Sequence, residues 1–413
     1  MATPSASPPL PLDPTVLASA RRAAELPLCR ACFGRLFGRL GHGLTNEDRA
    51  TQLLAAVGAP KLPEGPCALC WGSFDRWEVW VDRVERAGAG TEWHRFTCGS
   101  RWEPEILAHE EAIWVEVGTS WGESARGAFN RELGKRVGAR TGAEGVTDAP
   151  DVVFLADLSA GRVEVTILPL YLSGRYRKFD RTLPQTRWPC RRCHGRGCEH
   201  CQGTGKTYAE SVEELVAGPL LEVTGGRTSR FHGMGREDID ARMLGQGRPF
   251  VIEVLDPRHR TLNVEAIQEA INRTAAGRIE VARLQHASAS DVVRVKEATP
   301  EKSYRVGVRG DVPPAKINEV LGLVTGRAIA QRTPTRVAHR RSDRVRHRRV
   351  VEVQLVDSAP GRFTLDVRTE AGTYIKEWVE GDGGRTEPNL ASLVGVPLSV
   401  DFLDVLEVHD TEV

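Results

Sequence analysis

The sequence predicts an α+β protein. A cysteine-bearing N-terminal region of mixed helix and strand precedes a domain built on a mixed, largely antiparallel sheet. Three observations lead there. Strand-like runs recur near 249–255, 303–309, 349–356, 362–369 and 399–408, mostly at spacings that do not fit repeated βαβ units. Residues 15–58 carry helical signals instead, and residues 73–172 mix the two patterns. The length of 413 residues suggests two or three domains at roughly 150 residues each.

Taken in order, the opening "MATPSASPPLPLDP" has neither the basic start nor the apolar core of a signal peptide, so residues 1–14 read as a disordered leader. Thr45 with Asp48 can cap a helix that carries Leu53 and Leu54. "WEVWVDRVE" alternates and predicts a strand, and "DVVFLADLSAGRVEVTILPLYL" predicts two strands around a glycine turn. A cysteine-rich segment at 190–205 interrupts the chain. A helix follows around 209–217, and Val264, Ile267 and Ile271 mark one face of another. The expected divisions are a leader at 1–14, an N-terminal region at 15–189, the cysteine segment at 190–205 and a C-terminal domain at 206–413.

Composition narrows the class. Apolar content of 40% and charged content of 27% permit sizeable cores. No run approaches the 18 or so apolar residues of a membrane span. A cytoplasmic location is therefore the default expectation, and there nine cysteines point to metal or chemistry before disulfides. The formal charge is only +1, yet just eight of the 56 basic residues are lysine. Arginine's planar fork suits phosphates and bases, although a high-GC genome produces the same bias.

"CRRCHGRGCEHCQGTG" repeats CxxCxGxG with an eight-residue period and supplies Cys190, Cys193, Cys198 and Cys201. Each CxxC bends two thiolates into a knuckle, and four thiolates suit tetrahedral zinc. "CRAC" and "CALC" add Cys29, Cys32, Cys67 and Cys70, which can close a second four-sulfur site. One or two structural zinc ions are expected, with the pairing of the four knuckles left open. Cys98 reads as a core residue, and His194 and His200 as neighbours of the tandem site.

"RTPTRVAHRRSDRVRHRR", residues 332–349, carries eight arginines against one aspartate. Charge this dense repels itself unless an anion neutralises it, which points to a nucleic-acid backbone. A strand here would place Arg344, Arg346 and Arg348 on one face. "RGAFNRELGKRVGAR", 126–140, offers further cations for phosphates, or an ordinary charged helix face.

"GREDIDARMLGQGRPFVIEV", 235–254, crowds acids and bases ahead of a strand. Alone it leaves open whether Asp238 or Asp240 is a solvated turn residue or a reactive carboxylate. "GRED" resembles the GRTD element that carries the catalytic aspartate in one branch of the pseudouridine synthases. "KSYRV" and "GTYIKEWVEGDGGRTEPNLASLVG" follow in that superfamily's order. With "SGRYRKFDRTLPQTRWPC", the sequence resembles the tRNA pseudouridine synthases of the Pus-ten type found in archaea, over roughly residues 25 to 410.

The resemblance implies a THUMP-like RNA-binding module within 15–189 and a pseudouridine synthase catalytic domain beyond 206. It implies an enzyme that works as a monomer on tRNA and isomerises T-loop uridines 54 and 55. Asp238, Tyr304 and Lys376 become the catalytic set. Arg236 becomes a wedge or phosphate contact, Tyr304 also a stacking partner for the base, and Leu393 packing beneath the site. Asp240 takes a supporting role. Lysine stands at 376 where the superfamily more commonly has arginine. Isomerisation changes no oxidation state, so no organic cofactor is expected, in keeping with the absence of a P-loop or dinucleotide fingerprint.

Overall fold

The computed structural model describes residues 9–118, 120–340 and 342–410. The chain divides into two compact units. One runs to Leu168 and takes in Arg258–Arg260, and the other holds the rest.

In the first unit, α1 (Pro14–Ala24) starts on the side chain of Asp13, and α2 (Arg30–Arg35) starts at Cys29. In α3 (Asn46–Ala56) the expected capping box forms: Thr45 and Asp48 each accept the other's backbone N–H. Then come α4 (Trp77–Gly88), β1 (Arg95–Arg101), α5 (Pro104–Val117), α6 (Ala125–Thr141), β2 (Glu144–Gly145), β3 (Val152–Asp157) and β4 (Arg162–Ile167). The strands form one sheet in the order β2-β1-β3-β4, with only β3 and β4 antiparallel.

Two expectations for this unit need correcting. "WEVWVDRVE" lies in helix α4, not a strand. Trp80, Val81 and Val84 are buried at helical spacing, whereas Val79, which alternation would bury, is 42% exposed. The expected leader lies outside the described residues for 1–8, but Leu10 is buried in this unit's core and its N–H meets Gln52 Oε1 at 3.0 Å.

The second unit begins with β5 (Leu170–Lys178), so the division falls at 168/169 and not at the expected 189/190. The reason is pairing: β5 hydrogen-bonds between β7 (Arg242–Leu255) and β8 (Ile279–Ala287). The other elements are α7 (Val212–Thr224), β6 (Thr228–Gly233), α8 (Val264–Ala275), α9 (Ala289–Glu297), β9 (Glu301–Arg309), α10 (Pro314–Val324), β10 (Ala328–Arg332), β11 (Val345–Ala359), β12 (Arg362–Thr369), α11 (Ile375–Glu380), β13 (Thr386–Glu387), α12 (Leu390–Val394) and β14 (Ser399–His409). The sheet order is β13-β10-β11-β12-β9-β14-β7-β5-β8, with β6 on β7. Every pairing is antiparallel except β14 with β7, which covers only Asp404↔Arg242 and Val405↔Met243. That short parallel seam is where the two halves of the sheet join.

β7 is buried almost without interruption from Gly247 to Val254, as a strand covered on both faces requires. Ile267 and Ile271 of α8 and Leu215, Val216 and Leu220 of α7 belong to the core that covers it. Among the described residues no helix is long and apolar enough to cross a membrane.

Candidate active site

A cleft of about 1040 Å³ opens in the second unit beside the β7–β14 seam. Its walls come from segments far apart in sequence. They include the loop at 235–241, the face of β9 bearing Tyr304, the turn at Thr335–Arg340, and the stretch from Gly372 into α11.

The 235–241 loop is held by one preceding segment. Gln185 Nε2 donates to Gly235 O at 3.0 Å, Lys178 Nζ to Ile239 O at 2.7 Å and Arg181 Nη1 to Asp240 O at 2.8 Å. Glu237 anchors the centre of the loop. Its carboxylate lies 2.9 Å from Arg248 Nε, each side chain being 1% exposed, and accepts from the Tyr176 hydroxyl at 2.9 Å. Arg248 also donates to Met234 O at 2.6 Å, and Gln185 donates to the Tyr176 oxygen at 2.8 Å. The charge of Glu237 is thus matched and hydrogen-bonded in the interior, as a buried carboxylate requires. Burial pushes the Tyr176 phenol well up, and the charge of Glu237 pushes the same way. Burial draws the Lys178 ammonium below its ordinary range against the pull of Glu237, Asp180 and Asp240.

Beside Glu237 in the chain, Asp238 lines the cleft, 30% exposed. Arg336 Nη1 donates to Asp238 Oδ1 at 2.9 Å. The other edge of the same guanidinium meets Glu377, with Nε to Oε1 at 2.6 Å. Burial works against the Arg336 charge, but Glu377 and Asp238 prevail and hold it firmly on. Lys376 Nζ stands 3.6 Å from Asp238 Oδ2 and donates to Asp240 Oδ2 at 2.8 Å. Burial pushes the Asp240 carboxyl up, yet Lys376 brings it below the usual range. Lys376 is positioned through Tyr374, whose backbone N–H and C=O both pair with the side-chain amide of Gln331, at 2.9 Å each. Gln331 is almost wholly buried on β10.

Tyr304 faces the cleft from β9, and its hydroxyl has no hydrogen-bond partner among the described residues. Burial pushes its phenol up to about 12, opposed by Arg248 and helped by Asp238. Arg236 lines the cleft, is exposed, and makes no ion pair among the described residues.

The eight cysteines gather as two quartets, Cys29, Cys32, Cys67 and Cys70 in the first unit and Cys190, Cys193, Cys198 and Cys201 in the second. Four thiolates at about 2.3 Å from a tetrahedral ion stand about 3.8 Å apart. The structure gives 3.7 Å for Cys29–Cys70, 4.0 Å for Cys190–Cys198 and 3.8 Å for Cys193–Cys201. Within each quartet all four sulfurs lie within 4.8 Å of one another, so both fit a tetrahedral ion. The two knuckles of the second quartet interlock through glycine. A Cβ on Gly197 would stand 2.7 Å from Gly203 O, and one on Gly205 would stand 2.4 Å from Gly195 O. His194 and His200 are exposed and outside the quartet, and Cys98 is a partly buried residue of the first core.

Several expected contacts fall elsewhere. β11 begins at Val345, one residue after Arg344. Only Arg346 and Arg348 therefore share a strand face, with buried Val350, and none of the three arginines lines the cleft. Leu393 is half-buried on α12 against the core, also off the cleft. On α6, Arg131, Lys135 and Arg136 pair with Glu132, and Arg140 pairs with Glu78, Asp82 and Glu85. Of the cations expected there, Arg126 alone has no ion pair among the described residues.

Comparison with known proteins bears on all of this at once. Residues 171–409 match the family described as "Pus10, C-terminal", a span that contains every wall of the cleft. The chain belongs to the Pus10 family. Residues 80–157 match "Pus10 THUMP domain, archaeal", so the expected THUMP module lies in the first unit. The tRNA pseudouridine synthase Pus10 of Methanothermobacter marburgensis is 42% identical over 93% of this chain and 95% of its own. That of Methanothrix thermoacetophila is 39% identical over 92% of both. A solved Cbf5–Nop10–Gar1 complex contains a chain 18% identical, at a TM-score of 0.32, covering 57% of this chain and 48% of that one. Membership makes this chain an isomerase of the pseudouridine synthase class. The cleft brings together Asp238, Tyr304 and Lys376, which the sequence singled out, with Arg336, which it did not; Glu377 and the loop clamp were not singled out either. Those lay inside quoted motifs with no local mark to set them apart.

Proposed function

We propose that this Pus10 family member isomerises uridines 54 and 55 of the tRNA T-loop to pseudouridine, with Asp238 as the reactive carboxylate and no organic cofactor. One observation carries the reading. Asp238, Tyr304 and Lys376, drawn from three distant segments, line a single cleft, with the carboxylate held by Arg336 and close to Lys376.

The reaction breaks the N1–C1′ bond, turns the base, and joins C5 to C1′. The electron pair of N1–C1′ leaves with the pyrimidine. C5 supplies the pair for the new bond, the proton on C5 departs, and N1 gains a proton. Asp238 acts at the sugar or the ring edge, and it must be ionised to do so. Two cations stand beside it, Arg336 at 2.9 Å and Lys376 at 3.6 Å.

Tyr304, with an unbonded hydroxyl in a nearly dry wall, stacks on the extruded base. Extrusion costs a few kcal/mol and costs less from a loop than from a duplex. Arg236 at the cleft meets a phosphate or fills the vacated stack. Arg344, Arg346 and Arg348 follow the tRNA backbone outside the cleft, and Leu393 supports the core behind it. The THUMP module grips the same tRNA away from the reacting base. The quartets each hold a structural zinc, and the enzyme acts as a cytoplasmic monomer.

The test is incubation of the full chain with unmodified tRNA transcript, followed by mapping of modified uridines. Product at 54 and 55 is expected from wild type and none from Asp238→Ala, with tRNA binding retained. Equal activity in the two would remove Asp238 from the mechanism.

A further inference from the structure

We propose that Lys302 carries a catalytic role in the cleft: its ammonium donates to a ring carbonyl oxygen of the pyrimidine and takes up the negative charge left when the glycosidic bond breaks. The proposal rests on reading the cleft as a uridine isomerase.

Lys302 lies two residues before Tyr304 on β9, so both side chains leave the same face of the strand. It lines the cleft yet is only 9% exposed. Its ammonium makes one long contact, 3.5 Å to Pro300 O, and pairs with no carboxylate among the described residues. Arg248, another cation, stands nearby, and Glu237 already balances its charge. Gly235, at φ +80, lets the two cations approach. A Cβ there would stand 3.7 Å from Lys302 Nζ and 3.2 Å from Arg248 Nη1.

A buried cation with no counter-ion is costly, and proteins seldom keep one. Burial, together with Arg248, draws this ammonium down to about 8. Such a group is poised to gain a proton's worth of charge stabilisation from an anion that forms in the cleft. Depth favours the base over the backbone. A phosphodiester keeps its water at the rim, where exposed Arg236 stands unpaired. Lys302 is deep, beside the tyrosine that stacks the ring. Lys302 and Tyr304 are two strand residues apart, about 7 Å, and both line the cleft. A ring stacked on Tyr304 therefore comes within reach of the Lys302 ammonium.

When N1–C1′ breaks, the departing pair makes the pyrimidine a monoanion spread over N1, O2 and O4. An ammonium hydrogen bond to O2 or O4 stabilises that anion more than neutral uracil, so it lowers the barrier and not merely KM. The ammonium keeps its proton. When C5 joins C1′ the pyrimidine is neutral again and the contact weakens.

The test separates binding from chemistry on the full chain with unmodified tRNA transcript. Lys302→Met and Lys302→Gln are expected to lower the single-turnover rate roughly 10²-fold, leaving tRNA affinity and its salt dependence unchanged. Lys302→Arg is expected to recover most of the rate. An unchanged rate in the neutral variants overturns the proposal. So does weakened affinity with a salt slope shallower by about one, which assigns Lys302 to a phosphate.

A pH comparison decides the matter if the neutral variants fail to fold. The groups facing Lys302 or sharing its cleft are Arg248 on β7, Tyr304 on β9, Lys296 on α9, His232 on β6, Lys376 on α11, Arg181, Arg336 and Tyr374, and, in the loop, Arg236, Glu237, Asp238 and Asp240. All of them are common to wild type and Lys302→Arg. Wild-type kcat/KM should fall above pH 8 relative to the arginine variant, whose guanidinium stays charged. Parallel profiles overturn the proposal. An inactive wild type removes the reading of the cleft and this proposal together, whereas an active wild type with indifferent Lys302 variants removes only the latter.

Discussion

Arg336 and Asp238 are joined by a 2.9 Å hydrogen bond, shorter than the 3.6 Å that separates Asp238 from Lys376. The cation that most directly holds the proposed reactive carboxylate therefore comes from the basic stretch, and Glu377 aims it. Arg336→Gln should lower single-turnover conversion of tRNA by roughly 10²-fold with little change in affinity. Glu377→Gln should cost less, about 10-fold, because the guanidinium keeps its charge and loses only its aim. Full activity in Arg336→Gln would make the pair incidental.

Lys376 divides its ammonium between two aspartates, and the shorter contact is to Asp240. Lys376→Arg should retain most activity if the longer fork fits, and Lys376→Met should lose most of it. Asp240 is 63% exposed, so Asp240→Asn should stay within about threefold of wild type in rate. Its folded-state pKa is depressed. Its contribution to stability is therefore present above the unfolded value near 3.9 and is lost as pH falls through the folded value. Acid unfolding of Asp240→Asn should accordingly be slightly less steep, which a pH series of denaturant melts would register.

Lys302 should exact a stability cost that depends on pH. Its folded-state value of about 8 lies below the ordinary 10.5, so the folded chain gives up the proton first. Stability from this group is complete above about 10.5 and is lost as pH falls to about 8. At pH 7 Lys302→Met should be more stable than wild type by about 1–3 kcal/mol, and the gap should narrow markedly by pH 10. Urea melts at the two pH values check this; a variant less stable than wild type at pH 7 would contradict it.

Zinc content offers an independent check. Mass spectrometry of the native chain should find two ions, and Cys193→Ser should find one. Gly205→Ala should also lose the second ion, since its Cβ would meet Gly195 O at 2.4 Å on a backbone at φ +68. Two ions retained in Gly205→Ala would show that the knuckles can spread.

On α6, Arg126→Glu should weaken tRNA binding and make its salt dependence shallower by about one. Arg140→Ala should leave binding unchanged, because Arg140 is occupied by Glu78, Asp82 and Glu85. Filter binding across a salt series distinguishes the two.

Much of the second unit was legible, because its strands alternate or run apolar and its motifs occur in order. The first unit misled where two periods coincided. Trp77, Val79 and Val81 alternate, while Trp77, Trp80, Val81 and Val84 also recur at helical spacing, and the burial of Trp80 and Val84 with the exposure of Val79 decides for α4. Arg336 was illegible for a different reason. Nothing local separates it from the arginines around it. Its position depends on β10 pairing with β11, and on Thr335 N–H reaching Asp382 across the fold at 2.9 Å. The "GRY…LPQT" block was recognised as a signature, but its work as the clamp of the loop, through Tyr176, Lys178, Arg181 and Gln185, needed three dimensions.

The inward anchoring of Glu237 bears on how loss of function would be inherited in this chain. Asp238 follows a residue whose carboxylate is tied to Arg248 and Tyr176. A survey of inactive alleles should therefore recover Tyr176 beside the cleft residues Arg248 and Gln185, although Tyr176 is sealed from solvent. Genetically Tyr176 would count as part of the active site, although it lies off the cleft wall.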